Sequence, residues 1–137
     1  MPPIQLQIYS NPGGVDVYVN LRRKDGNHER IVAFIDTGAE LSLLPAHFMS
    51  FIEYRLADKH DVVIDQAGIA QQSFRAIQAY IKLFLEDVTG NVTSEFEVPV
   101  WFANSDEILI GFEGLLDHAI LHIDMPQRTG WIDLPTR

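Results

Sequence analysis

Ile31-Val32-Ala33-Phe34-Ile35-Asp36-Thr37-Gly38-Ala39 is the stretch that decides how the rest of this 137-residue chain is read. Residues 31–35 are an almost unbroken β-branched and apolar run, the pattern of a strand covered on both faces, and Asp36 falls where that strand ends. Gly38 lets the backbone turn sharply and come close to whatever the carboxylate faces. Thr37 offers a hydroxyl that can bond to a neighbouring chain or across a symmetry axis. The turn therefore presents a carboxylate on rigid backbone. The plainer alternative is a turn residue that caps the strand end through its own backbone, as Asp often does.

Working outward, alternation over Ile4 to Ile8 and Val15 to Val19 marks two half-buried strands, with Asn11-Pro12-Gly13-Gly14 as the turn between them. Arg22 to Asn27 reads as a hairpin tip, because Asp25-Gly26 suits the positive φ of tight turns. Beyond the Asp36 loop, Pro45 to Ile52 is expected as a short helix with Phe48, Met49 and Ile52 on its buried side. Strands are expected over Asp61 to Ile64, Phe74 to Leu85 and Thr93 to Trp101, with a turn at Asp87 to Asn91. Pro99 within the last of these implies an edge, a bulge or the strand's end. Glu113 to Ala119 is a second helical candidate, and Ile120 to Ile123 and Trp131 to Leu134 are short terminal strands. No repeat or linker interrupts the chain, so residues 1–137 are expected to form a single, mostly β domain.

The length suffices for a self-contained core. A net charge of −9, with ten Lys and Arg, argues against a nucleic-acid partner, since phosphate binding needs a basic surface. With no cysteine, disulfide scaffolds, thiolate zinc sites and cysteine nucleophiles are excluded. No apolar run approaches ~18 residues and the N-terminus lacks a signal-peptide layout, so the expectation is a cytoplasmic protein without a membrane partner.

Asp36-Thr37-Gly38-Ala39 after two apolar residues resembles the active-site loop of aspartic proteases, with Ala39 in the fourth place as in the retroviral type. Ile108-Leu109-Ile110-Gly111 is similar to that family's apolar-apolar-Gly element, and the two motifs come in the family's order. The resemblance runs from about Val15 to about Asp124. It implies a closed, barrel-like retropepsin fold, one lobe per chain, with one or two short helices. One lobe carries one aspartate, so it also implies a homodimer in which each subunit donates Asp36.

The implied activity is hydrolysis of peptide bonds in a polypeptide substrate, with no metal or other cofactor. Two carboxylates about 3 Å apart share one proton, so one takes a proton from water while the other protonates the leaving nitrogen. By the same resemblance, Thr37 bonds across the two-fold axis, Gly38 approaches carboxylate and substrate, and Ala39 supplies no hydroxyl to favour the ionised form. A less acidic pH optimum is expected than a Ser or Thr there would give. The flap tip is placed at Ala67-Gly68-Ile69-Ala70, where Gly68, Ile69 and Ala70 would touch substrate and Ala70 replaces the family's second glycine. Phe112 stands where retroviral enzymes carry an arginine that pairs with an acidic residue past the loop. Glu40 keeps that acidic place, and it is a candidate either to contact substrate or to pair with a basic residue nearby in the fold. The chain ends, Ile4 to Ile8 and Trp131 to Leu134, are expected in a dimer sheet.

Other candidates have plainer readings. His118 and His122 share a helix face only if Ile120 does not begin a strand, and metal sites need a third ligand and a bonded second shell. Asn91-Val92-Thr93 matches a glycosylation acceptor but reads as a turn entering a strand. Trp101 and Trp131 read as packing or interface residues. The alternative function is a non-catalytic dimeric module of the same fold that binds peptides or proteins.

Overall fold

The computed structural model describes residues 2–10, 13–65 and 73–135. Its strands are β1 (Ile4–Gln5), β2 (Gln7–Ser10), β3 (Gly13–Arg22), β4 (His28–Ile35), β5 (Ser42–Pro45), β6 (Arg55–Asp65), β7 (Ser73–Glu86), β8 (Phe96–Ala103), β9 (Leu109–Ile110), β10 (Ile120–Asp124) and β11 (Thr129–Asp133). An eight-stranded sheet runs β2-β3-β4-β9-β5-β8-β7-β6, and β3 pairs again with β7. That second pairing, Tyr18 to Leu21 against Leu83 to Glu86, closes the sheet into a barrel. Closure removes free edges from most of its strands.

The barrel interior follows from alternation. Ala79, Ile81, Leu83 and Leu85 on β7 face Val17, Val19 and Leu21 on β3 and Val98 and Val100 on β8 within one buried cluster. Ile4 and Ile132 of a separate three-stranded sheet, β1-β11-β10, belong to the same cluster. Leu41, Leu43, Ala76, Trp101 and Ala103 form a second, smaller buried cluster.

Several expectations need correction. The segment Ile4 to Ile8 is not one strand: Leu6 donates its N–H to Gly130, and the chain passes from β11 to β3 around it. Ile4, Leu6 and Ile8 nevertheless all stay buried. Of the turn expected at residues 11–14, residues 11 and 12 lie outside the described residues, and Gly13 and Gly14 begin β3. β4 is not covered on both faces, since Val32 and Phe34 are 47% and 48% exposed. The expected helices are single 3-10 turns, Ala46–Ser50 and Leu116–His118. Pro45 ends β5 and stands at the N-cap of the first turn, one position before its first helical residue. Pro99 does not lie on an edge strand, for β8 runs between β5 and β7. Pairing with β5 begins only at Val100, so the proline sits just before it and its ring packs on Gly114. Ile120 does begin a strand, which separates His118 from His122; the latter stacks on Trp131 at 4.0 Å. No helix among the described residues is long and apolar enough to cross a membrane.

Candidate active site

Asp36 is placed by two segments that grip each other on both sides of it. β4 and β9 run parallel, with Phe34 beside Leu109 and Ile35 beside Ile110. The Phe34 N–H donates to Ile108 O at 2.9 Å, and the Asp36 N–H donates to Ile110 O at 3.0 Å. Past the turn, the N–H groups of Phe112 and Glu113 donate to Ala39 O and Glu40 O, both at 2.8 Å. Between these bonds, the Gly111 N–H donates to the buried Ser42 hydroxyl at 3.0 Å. The Asp36 carbonyl accepts from the Ala39 N–H at 3.1 Å. Apart from the local Asp36–Ala39 bond, the residues joined lie far apart in the sequence, Gly111 and Ser42 by 69 positions, so the loop is fixed by tertiary pairing.

The carboxylate uses one oxygen locally: Asp36 Oδ1 accepts the Gly38 N–H at 2.9 Å. A Cβ on Gly38 would stand 3.3 Å from that oxygen, so glycine serves the close approach here. Among the described residues, Oδ2 has no hydrogen-bond partner, no cation pairs with Asp36, and the exposed Thr37 hydroxyl is unbonded. The turn contact is the capping role of the plainer reading, and it leaves half of the carboxylate free.

Asp36 opens onto a cavity of about 450 Å³. Its apolar walls are Leu41, Leu43, Ile64, Phe74, Trp101 and Leu109. Trp101 is held by its Nε1–H, which donates to Gln78 Oε1 at 3.1 Å, and by an edge contact with Phe74. Gly38, Ala39 and Glu40 also line the cavity. Thr37 does not. The expected flap-tip residues Gly68, Ile69 and Ala70 lie outside the described residues, which stop at the pair Asp65 and Ser73 on β6 and β7.

Sequence reading missed Trp101, Phe74, Leu43 and Glu107 as cleft residues. Leu43 gave no signal, because it enters the cleft only through the parallel pairing of β5 with β8. Trp101 carried one, as a large amphipathic side chain at a strand end. Phe112 is 52% exposed, and Glu40 makes no ion pair among the described residues.

No protein-family model matches the chain, and no curated protein matches it. Among solved structures it is similar to a retropepsin-like aspartic protease from Rickettsia conorii, at 16% identity and a TM-score of 0.52, over 96% of this chain and 89% of that one. The EIAV protease complexed with the inhibitor HBY-793 is similar at 16% identity and a TM-score of 0.48, over 80% of this chain and 91% of that one. With its closed barrel, its gripped Asp36 loop and this likeness, the chain has the retropepsin-like fold.

Proposed function

We propose that this chain is an aspartic endopeptidase that works as a homodimer, each subunit donating Asp36 to a shared dyad. The observation that carries the reading is a carboxylate that, among the described residues, has one free oxygen and no paired cation, held by a doubly fastened loop and lining a cleft with several apolar walls. A structural ion pair or a buried cap would use the whole group. Water held between the two carboxylates loses a proton to one of them and attacks the peptide carbon. The other carboxylate gives its proton to the nitrogen as the C–N bond breaks. The unbonded Thr37 hydroxyls are suited to hold the two loops together across the axis.

Dimerisation through the terminal sheet is supported by apolar exposure there. Ile120, Met125 and Trp131 are 58%, 42% and 38% exposed on and beside β10 and β11. Cleavage of a peptide library by the intact protein and by Asp36→Asn tests the proposal; activity that survives the substitution rejects it. The second reading is a dimeric peptide-binding module without catalysis. It is favoured by Phe112, which leaves Glu40 without the cationic partner that would brace the loop.

A further inference from the structure

The cleft beside Asp36 carries a charge pattern that its apolar walls do not require. Asp36, Glu40, Asp65 and Glu107 all line it, and no Lys, Arg or His does among the described residues. The carboxylates of Glu40, Asp65 and Glu107 accept no side-chain hydrogen bond and join no ion pair among those residues. Some acids elsewhere are paired, as Glu95 is with Arg22 and His28, Glu97 with Arg55 and Glu29 with Arg23, but among the described residues the four cleft acids are not. A neighbouring cavity of about 440 Å³ shares Leu43, Phe74 and Glu107 and adds Arg75, yet Arg75 and Glu107 form no ion pair.

Unpaired carboxylates around an apolar cavity make a complementary field for one kind of side chain. It has a long hydrocarbon stem to lie against Leu43, Phe74 and Leu109, and a cationic head to reach the rim. An acidic side chain would meet the like charges of Glu40, Asp65 and Glu107, and a purely apolar one would leave them unused.

We propose that this cavity is a specificity subsite for an arginine or lysine of the bound polypeptide, with Asp65 and Glu107 as the residues that select the charge. The inference rests on the peptidase reading of the same cleft for its substrate class, but its test does not need catalysis.

Three labelled peptides, identical except for arginine, norleucine or glutamate at each scanned position, are titrated against the Asp36→Asn protein by fluorescence anisotropy. At one position arginine binds about tenfold tighter than norleucine, glutamate binds weakest, and the preference fades as salt rises. Glu107→Gln and Asp65→Asn each lower the arginine-to-norleucine ratio, whereas Asp58→Asn, an exposed carboxylate outside the cleft, leaves it unchanged. A ratio that falls equally in Asp58→Asn, a ratio near one at every position, or no binding of any peptide overturns the subsite. Cleavage by the native protein is scored separately. Arginine preference without cleavage sinks the peptidase reading alone, and cleavage without preference sinks the subsite alone.

Discussion

Gly111 packs so closely on Leu41 that a Cβ at its position would stand 2.3 Å from the Leu41 carbonyl carbon. Both atoms belong to backbone fastened by hydrogen bonds, so neither can move aside without loosening the Asp36 loop. Gly111→Ala is therefore expected to destabilise the fold by about 3 kcal/mol or more, the upper end of overpacking costs, and to abolish any cleavage. Urea unfolding measures the first effect. An alanine variant of native stability would contradict the close packing.

Asp87 is the best-satisfied buried acid among the described residues. Burial pushes its carboxyl up, but the N–H groups of Gln5 and Asn91 and the side chains of Thr89 and Asn91 outweigh this and bring it down to about 2. A depressed acid contributes stability that is complete above its ordinary value and is lost as pH falls toward 2. Asp87→Ala should cost about 2 kcal/mol at pH 7, and the gap from the native protein should close between about pH 4 and pH 2. Urea midpoints across that range measure it. Because Gln5 is bonded to Asp87, the terminal sheet should loosen over the same interval.

Asp16 runs the other way. Burial raises its pKa, offset in part by the Tyr9 hydroxyl, and its Oδ1 is buried without a partner among the described residues. A raised acid stabilises the fold in its protonated form, so its contribution is lost as pH rises through the raised value. Asp16→Asn is expected to stabilise the protein at neutral pH by on the order of 1 kcal/mol, with the gain shrinking on acidification. Thermal melts at pH 7 and pH 4 compare the two.

Ile120 is 58% exposed on β10 and contributes nothing to the barrel interior. If the terminal sheet forms the dimer contact, Ile120→Asp should weaken self-association by about tenfold, the equivalent of one large apolar contact, while leaving monomer stability within about 0.5 kcal/mol. Sedimentation velocity reads the dimer fraction. An unchanged dimer would move the interface elsewhere.

The sequence made the Asp36 loop and the Gly111 element legible because each is a short local pattern whose residue types are dictated by its own backbone. The barrel strands were legible for a similar reason: alternation such as Ile77-Ala79-Ile81-Leu83-Leu85 reports which face is buried. Alternation does not report which neighbour supplies the hydrogen bonds. Ile4, Leu6 and Ile8 kept one face inward while the chain changed sheets at Leu6, and nothing in their pattern could reveal that. The cleft walls were hidden for a related reason. Leu43, Phe74 and Trp101 meet only because β5 pairs with β8 and β8 with β7, and those registers are tertiary facts. Short helices were overextended because capping signals mark where a turn begins and say little about how many residues continue it.

The measurement that bears most directly on the proposed function is peptide cleavage between about pH 4 and about pH 7 by the native protein and by Asp36→Asn, with the oligomeric state of both followed in parallel, since a carboxylate dyad needs a shared proton in that interval. Cleavage by the native dimer and none by an equally dimeric Asp36→Asn is the expected result. Cleavage that persists in Asp36→Asn, or dimers of the native protein that cut no peptide in the library, would contradict it.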